Sequence, residues 1–597
     1  MRISCFALFC AALYAGSVLA VNRIWVEAES FADKGGWVVD QQFMDIMGSP
    51  YLMAHGMGVP VADARTEVAF PSPGRYVLWI RTKDWAPFPT GPGRFQISVN
   101  SVRLERMLGS DGDIEWHWVR AGEIEAEAGR IEIALHDLSG FEGRCDVLFF
   151  VDSPDYTPPK AAAPLERLRR RMLSLPEIPP DAGEFDFVVA GGGMAGTCAA
   201  LQAARLGLEV ALIQNRPVLG GNNSSEVRVH LMGDWRYNHY PRLGRIVREL
   251  DNGDPGNAAV YTANQDPYGD RRKLDVVAAE PNISLFLNYH ACRVEMAGST
   301  LTALYARHIE SGEELRFPAA LFADCTGDGT IGFLAGADYR IGRESRVETG
   351  EFMAPGEADH MTMGMSNLWN ATESDTPSTF QECPWALQFS EQYHLDMPRA
   401  DWRWETGFGN FDMIADAEKI RDHNFRAIYG NWAFLKNHKT GKYRYLRLNW
   451  IAYISGKRES RRLLGDYILT QDDIEKRVIH DDGFVTTTWD LDLHFPDSTN
   501  SLFFPGQEFI SWYRHPDIEP YPVPFRCLYS RNLTNLMMAG RNISVTHVAL
   551  GTVRVMRTTG MMGEVLGYAA YLCAKHRTTP RGLHRHHLEE FKALLRQ

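Results

Sequence analysis

The stretch that most constrains the fold is FDFVVAGGGMAGTCAALQAARLGLEVALI, at residues 185–213. An apolar segment of strand length runs into three consecutive glycines. A segment rich in small residues follows, with the length of a helix, and the second apolar segment, LEVALI, then ends the unit. Strands that alternate with helices in this way are typical of layered α/β structures with a parallel sheet. We therefore predict an α/β fold from Phe185 onward.

The spacing of the glycines predicts a site for a dinucleotide. Gly191 permits a tight turn, Gly193 lets the backbone approach a pyrophosphate, and Gly196 lets the helix pack closely on the strand. The N-terminus of that helix then offers free N–H groups and a partial positive charge to the phosphates. In this strand–turn–helix–strand setting the glycine pattern is a specific signal.

The second strand ends unusually, in Gln214 and Asn215, where a carboxylate normally binds both ribose hydroxyls. We expect the Gln214 amide to hold the ribose by neutral hydrogen bonds. Arg216 could pair with the 2′-phosphate of NADP, but the sequence does not favour this cofactor. The doublet Gly220-Gly221 resembles that of glutathione-reductase-like flavoproteins, which points to FAD and not to NAD.

Two distant segments resemble the same flavoprotein superfamily. LFADCTGDGTIGFLAGA, at 321–337, resembles its second glycine motif, and the segment 535–573 resembles its C-terminal flavin segment. The superfamily usually places Asp after the glycine of that last segment, where this chain has Arg541. The resemblance adds these candidates for FAD binding: Asp324, Gly327, Asp328, Gly540, Arg541 and Gly560.

With these motifs in place, residues 185–597 resemble the FAD-dependent oxidoreductase family of polysaccharide-degrading bacteria. The stretches PVLGGNNSSEVRVHL (217–231) and WDLDLHFPD (489–497) carry further resemblance. The resemblance implies a Rossmann-like FAD-binding domain interrupted by an α+β substrate or cap domain. We expect the FAD-binding domain at 184–345 and 526–597, with the substrate region at 346–525.

The N-terminal quarter of the sequence has a different hydrophobic pattern. Residues 1–20 show a single Arg, an apolar run and a small-residue ending, which predicts a secretory signal peptide and a periplasmic or secreted protein. Short period-two runs separated by turns predict an antiparallel β-sandwich of the jelly-roll type at 21–155. A proline-bounded segment at 156–183 predicts an interdomain linker with one short helix.

The predicted sandwich resembles jelly-roll carbohydrate-binding modules that open on a Glu-x-Glu strand. That resemblance makes Glu27, Glu29 and Asp146 candidate ligands of a structural Ca²⁺, an ion that prefers carboxylate oxygens. Several tryptophans could stack on sugar rings or fill the core, and both interpretations stay open: Trp37, Trp79, Trp85, Trp116 and Trp118.

Oxidation of a hydroxyl group needs a base, and His547 is the first candidate because it lies just before the predicted flavin helix. Arg554 could polarise an oxygen, and His230 could reach the same cavity. Glu226, Arg228 and His230 would share one face of a strand. A buried structural role is the alternative for each of them.

The candidates for substrate binding are Arg228, Arg458, Asp492 and His494. Arg458 and Arg462 stand at helical spacing, which would also suit a solvated helix face. Asp492 and His494 alternate after Trp489 and could converge on a substrate pocket.

The formal net charge of −13 argues against nucleic acid as a partner, and no segment after the signal is apolar enough to cross a membrane. NAD(P)H is not maintained outside the cytoplasm, so the electron acceptor must be another, unidentified one. We predict an exported FAD enzyme that oxidises a hydroxyl group of a saccharide or glycoside. The alternatives are a redox-neutral flavin enzyme that cleaves or isomerises a glycoside, and a glycan-binding protein with an inactive flavin fold.

Overall fold

The computed structural model of the chain describes residues 22–262, 265–409 and 411–597. The predicted signal peptide lies outside the described residues. Within them, no helix has the length and apolar character needed to cross a membrane.

The N-terminal region is an antiparallel β-sandwich, as predicted. One sheet has the strand order β1–β11–β5–β8, the facing sheet β4–β9–β6–β7, and a small third sheet β10–β3–β2. Alternation creates the core: along β4, Val68 and Phe70 are buried whereas Ala69 is exposed. The elements are β1 (Arg23–Glu27), β2 (Val38–Asp40), α1 (Met44–Met47), β3 (Tyr51–Ala54), β4 (Ala64–Phe70), β5 (Gly74–Thr82), β6 (Phe95–Val99), β7 (Val102–Arg103), β8 (His117–Ala126), β9 (Gly129–Asp137), β10 (Gly143–Cys145) and β11 (Val147–Val151).

The predicted linker contains helix α2 (Ala162–Met172), which packs against the sandwich. Leu165 and Leu168 are buried against Trp25 and Phe149 of the sandwich. Arg170 Nη1 reaches the other way, to Glu314 Oε1 at 2.6 Å. The linker helix therefore contacts both domains.

The α/β domain is built on a seven-stranded sheet. Strands β14, β13, β12, β17 and the C-terminal strand Leu536–Met538 run parallel in that spatial order, and β15–β16–β17 form an antiparallel extension. The elements are β12 (Phe185–Ala190), α3 (Met194–Arg205), β13 (Val210–Gln214), α4 (Arg245–Leu250), α5 (Asp270–Ala278), β14 (Ile283–Leu287), β15 (Tyr289–Ala297), β16 (Thr300–His308), β17 (Glu314–Asp324) and α6 (Thr330–Leu334).

The middle region combines short strand pairs with one long helix, α8. The stretch at 456–463 forms two short strands, so the helical spacing predicted for Arg458 and Arg462 was wrong. The elements are β18 (Tyr339–Arg340), α7 (Arg346–Thr349), β19 (Met365–Ser366), β20 (Trp369–Glu373), α8 (Ala417–His438), α9 (Thr440–Tyr443), β21 (Leu446–Ile451), β22 (Gly456–Lys457), β23 (Arg462–Leu463), α10 (Gln471–Glu475), β24 (Gly483–Thr487), β25 (Leu493–Pro496), α11 (Ser498–Phe503), β26 (Ser511–Arg514) and β27 (Tyr521–Pro524).

The C-terminal segment completes the α/β domain. Helix α13 crosses α3 so closely that a Cβ on Gly563 would lie 1.9 Å from the carbonyl oxygen of Ala195. The small residues on both helices thus allow the backbones to touch. The elements are β28 (Leu536–Met538), α12 (His547–Val553), α13 (Met556–His576), α14 (Pro580–His586) and α15 (Leu588–Arg596).

The sandwich docks on the long helix α8 through buried ion pairs. Arg421 of α8 donates to Asp40 Oδ2 at 2.7 Å, and Arg144 of the sandwich donates to Asp422 Oδ2 at 2.9 Å. All four residues are buried. Trp85 packs against Phe425 of α8, and Trp116 donates to Glu418 of α8. Trp37 and Trp118 are buried, so these four tryptophans pack within the protein.

Candidate active site

A cavity of about 560 Å³ opens at the carboxyl ends of the parallel strands, where open α/β sheets bind their ligands. Nine of the residues predicted to bind the cofactor line it: Gly191, Gly193, Gln214, Gly220, Gly221, Gly327, Asp328, Gly540 and Arg541. The other three, Gly196, Asp324 and Gly560, are not on its wall.

The glycine turn after β12 fits a pyrophosphate. Gly191 has φ +102°, and a Cβ there would lie 2.2 Å from the carbonyl oxygen of Cys325. A Cβ on Gly193 would meet only Gly221 Cα, at 3.8 Å, so the backbone of Gly193 faces open space. Helix α3 begins at Met194 and directs its N-terminus toward that space.

The three predicted residues off the wall have packing roles. A Cβ on Gly196 would lie 1.8 Å from the carbonyl oxygen of Gly191, and one on Gly560 would lie 2.7 Å from Val247 Cγ2. Asp324 is fully buried and accepts hydrogen bonds from the N–H groups of Thr326 and Gly332. Asp324 therefore shapes the second glycine turn and does not reach the cavity.

Gln214, the predicted ribose ligand, lines the cavity and also supports the glycine turn. Its Oε1 accepts from the N–H of Gly192 at 2.8 Å, and its Nε2 donates to the carbonyl oxygen of Val218 at 2.9 Å. Both ends of the amide are thus used by the backbone, and the side chain supports the glycine turn. Asn215 and Arg216 lie beside it on the cavity wall.

Arg541 occupies the position where the superfamily has Asp, and it forms an ion pair instead. Its Nη2 donates to Asp328 Oδ1 at 2.6 Å, and Lys457 Nζ donates to Asp328 Oδ2 at 2.8 Å. Burial acts to raise the pKa of Asp328, but the charges of Lys457 and Arg541 outweigh it and hold that pKa well below its usual range. Arg541 Nε is buried and lacks a hydrogen-bond partner in the described chain, so a donor remains for an anionic ligand such as a phosphate.

Asp492 is the centre of a second polar cluster on the cavity wall. It accepts from Arg554 Nη2 at 2.7 Å, and it contacts His494 Nε2 at 2.8 Å and His515 Nε2 at 2.6 Å. His494 Nδ1 contacts Glu405 Oε2 at 2.5 Å. Arg554 immediately precedes Val555 and Met556 at the start of α13, which also line the cavity. The cluster therefore lies beside the N-terminus of the helix that resembles the flavin helix.

The charges of this cluster shift the pKa values of Asp492, Glu405 and His515. Burial acts to raise the pKa of Asp492, but Arg554 and the two histidines outweigh it and lower that pKa far below its usual range. Burial likewise opposes ionisation of Glu405, yet Arg458 and His494 lower its pKa to about 2. The hydrogen bond to Asp492 raises the pKa of His515 above its ordinary value of 6.5.

Aromatic rings surround the cluster. Trp402, Trp489 and Tyr513 line the same part of the cavity. The ring centroid of Tyr513 lies 5.0 Å from that of His515, and Trp402 lies 5.3 Å from His494. The combination of aromatic faces with a few convergent polar groups is typical of small-molecule sites.

The predicted catalytic residues divide between the cavity and the interior. Arg554 and His230 line the cavity, whereas His547 does not: its Nδ1 lies 2.9 Å from Glu459 Oε2, and its side chain is buried. Glu226 is also off the wall and pairs with Arg216 at 3.0 Å. The predicted strand at 226–230 is absent; these residues form a turn and loop. The structure thus does not place His547 or Glu226 where a substrate could reach.

The predicted substrate-binding residues divide in the same way. Arg458, Asp492 and His494 line the cavity. Arg228 instead lies over the rings of Trp450 and Tyr261, at 3.9 and 4.5 Å from their centroids. Its guanidinium group therefore packs on these two rings, and Arg228 does not line the cavity.

Four further residues of the site were not predicted from the sequence: His515, Glu405, Trp402 and Tyr513. Strands β25 and β26 pair His494 with Tyr513, which brings His515 back toward Asp492. A hairpin prediction over 493–514 would have pointed to His515. Glu405 and Trp402 come from a separate loop, and no local pattern marks them.

The three candidate calcium ligands lie close together, and an arginine side chain bonds two of them. Carboxylate oxygens of Glu27, Glu29 and Asp146 lie within 4.8 Å of one another. Arg169 of α2 donates to Glu27 at 2.7 Å and to Asp146 at 3.0 Å, and Arg81 also pairs with Asp146. The position of a cation is thus filled by a guanidinium, so these residues as arranged do not fit a Ca²⁺ ion.

We expect neither Ca²⁺ nor a chelator to change the Tm of the protein, because Arg169 and Arg81 already pair with two of the three carboxylates, those of Glu27 and Asp146. In Arg169→Met the buried acids lose that charge, so the Tm should fall and then rise again with added Ca²⁺. Thermal unfolding with Ca²⁺ or with EDTA measures this. Arg167→Met, on the exposed face of the same helix, is the control. A chelator-sensitive Tm in the unmodified protein would restore the calcium assignment.

The sheet, the glycine turn and the cavity together define an enzyme that binds a dinucleotide cofactor. Residues 186–595 match the family model described as FAD dependent oxidoreductase. The chain belongs to this FAD dependent oxidoreductase family, and FAD is the cofactor that its glycine turn, Arg541 and α13 fit.

Comparisons with other proteins add distant likenesses. No curated protein matches the chain in sequence. A geranylgeranyl bacteriochlorophyll reductase-like protein from Thermoplasma acidophilum is 12% identical, with 69% of this chain and 83% of that chain covered and a TM-score of 0.30. A family 6 carbohydrate-binding module from a laminarinase of Zobellia galactanivorans is 18% identical, with 22% and 98% covered and a TM-score of 0.18. A family 35 module from Clostridium thermocellum is also 18% identical, with 22% and 97% covered and a TM-score of 0.18. The family assignment rests on residues 186–595 and not on these likenesses.

Proposed function

We propose that this enzyme oxidises a hydroxyl group of a saccharide or glycoside. The observation that carries the proposal is the pair Asp492–His515, which lies among aromatic rings and close to the N-terminus of α13. FAD, when bound, supplies the hydride acceptor. The residues of this chain must then bind the sugar, orient it and take the hydroxyl proton.

His515 is the base that the geometry favours. Its Nε2 is held by Asp492, and its Nδ1 lies 3.6 Å from Asp490 Oδ2, which is longer than a hydrogen bond. A neutral His515 can therefore donate through Nε2 to Asp492 and accept the substrate proton at Nδ1. Asp492 fixes the ring and stabilises the imidazolium that forms, as a carboxylate does for the histidine of a catalytic triad.

The remaining groups support a sugar as the substrate. Trp402, Trp489 and Tyr513 present apolar ring surfaces, and Arg458 and Arg554 present donors on the same wall. A sugar has apolar C–H faces and many hydroxyl groups, so it matches both kinds of surface. The arginines would also suit a carboxylate on an acidic sugar.

Export from the cytoplasm forms part of the proposal. It rests on the predicted signal at residues 1–20, and it excludes NAD(P)H as the routine electron source. Oxygen, a quinone or another carrier would then reoxidise the cofactor.

Mixing the flavin-loaded protein with single sugars under anaerobic conditions tests the proposed reaction. We expect one neutral or acidic sugar to bleach the flavin absorbance in a single turnover, with one equivalent of oxidised sugar formed. Many turnovers without net bleaching would instead establish the redox-neutral alternative. A purified protein that takes up no FAD would leave only the glycan-binding alternative.

A further inference from the structure

The β-sandwich supplies part of the wall of the cofactor cavity. Gln41, Gln42 and Asp45 lie after β2 and in α1, and all three line the cavity that contains Gly191 and Gly193. A module that only tethers an enzyme to a polysaccharide would have no residue there.

Hydrogen bonds hold this part of the sandwich against the middle region and the α/β domain. Gln42 Oε1 accepts from the N–H of Ser455 at 2.7 Å, and its Nε2 donates to the carbonyl oxygen of Tyr453 at 2.9 Å. Asp45 Oδ1 lies 2.8 Å from His290 Nε2. These contacts fix the sandwich at the mouth of the cavity.

The sandwich residues lie at the adenosine end of the cavity. In dinucleotide folds the residue after the second strand contacts the adenosine ribose, and here that strand is β13. Strand β14 pairs with β13, and β15, which carries His290, follows β14 directly. The N–H of Asn288 also donates to the carbonyl oxygen of Arg216, just after β13. The contact between His290 and Asp45 therefore places the sandwich on the β13 side, away from α13.

The amide nitrogen of Gln41 is buried and has no hydrogen-bond partner among the described residues. The Gln41 side chain is 2% exposed. A buried amide without a partner is destabilising, and native structures seldom leave one. Because Gln41 lies on the cavity wall, a ligand group is the natural partner.

We propose that Gln41 hydrogen-bonds the adenosine half of FAD, so that the sandwich forms part of the cofactor site. The docked sandwich then closes the adenosine end of the cavity, and binding of FAD favours the docked arrangement. Glycan binding is not needed to explain why the sandwich is present.

Titrating FAD and FMN into the flavin-free full-length protein tests this proposal. FMN lacks the adenosine half, so a residue that contacts adenosine changes the affinity for FAD alone. We expect Gln41→Ala to weaken FAD binding about 3- to 10-fold, the effect of one lost hydrogen bond, and to leave FMN binding unchanged. Gln96→Ala, on strand β6 of the same sandwich, is the matched control.

Unchanged FAD affinity in Gln41→Ala would overturn the proposal. An equal loss for FAD and FMN would also overturn it, because a general loosening of the fold affects both ligands. Should Gln41→Ala fail to fold, Gln41→Asn, which keeps the amide but withdraws it by one methylene, serves in the same comparison. No sugar enters the experiment, so the result is independent of the proposed substrate.

Discussion

Replacing His515 by glutamine is expected to lower kcat for the preferred sugar by about 10²- to 10⁴-fold, the usual contribution of a general base. FAD binding should change little, because His515 pairs with Asp490 and Asp492 and not with the residues of the glycine turn. Stopped-flow measurement of flavin reduction reports the step directly. His586→Gln, on an exposed position of α14, should behave like the unmodified protein.

The pH dependence provides a second readout of the same group. The hydrogen bond to Asp492 raises the pKa of His515 above the ordinary value of 6.5. The neutral, basic form of His515 therefore appears at a higher pH than it does for an ordinary histidine. The rate of flavin reduction should therefore rise with pH, and the midpoint of this rise should lie above pH 6.5. Asp492→Asn removes the cause of the shift, and the midpoint should move to lower pH while the rate falls. If His547→Gln loses the rate and His515→Gln keeps it, the assignment based on sequence was right after all.

Replacing Arg421 by methionine is expected to destabilise the protein by about 3–5 kcal/mol, the cost of leaving buried partners of an ion pair uncompensated. Arg421 pairs with Asp40 of the sandwich and with Asp422, and it donates to the hydroxyl group of Tyr51. The variant should unfold at a lower denaturant concentration and, if the sandwich undocks, bind FAD less tightly.

Denaturant unfolding followed by tryptophan fluorescence measures the effect, because Trp85 and Trp116 lie at the interface. Arg447→Met is the control: Arg447 is exposed on β21, where substitutions usually change stability by less than about 0.5 kcal/mol. Equal midpoints for both variants would show that the buried ion pairs do not hold the sandwich in place.

The sequence predicted those features that depend on near neighbours along the chain. The sandwich, the α/β layering and the glycine turn follow from runs of fewer than about twenty residues, in which strand alternation and glycine spacing leave few other structures. Asp492 and His494 were found for the same reason, because they lie only two residues apart at the start of β25.

Features decided by distant contacts were not predictable. Nothing near His515 shows that Asp492 will bind it, and nothing near Glu27 shows that an arginine 142 residues later will take the place of a cation. Gln214 was assigned to the ribose because its position fits the motif. Only the structure shows that Gly192 and Val218 already use its amide.

The buried interface between sandwich and enzyme has a consequence for how the chain reaches its native state. Asp40 and Arg421 are separated by 381 residues, so Asp40 lacks this ion-pair partner until α8 has been made and has folded. Contacts of such sequence separation form slowly, since a long loop must close before they stabilise anything. Docking is therefore a late folding step, and the adenosine end of the cofactor cavity is complete only after it. Until docking is complete, the interface surfaces of the sandwich and of α8 stay exposed to other proteins, and the cofactor site is not yet fully formed.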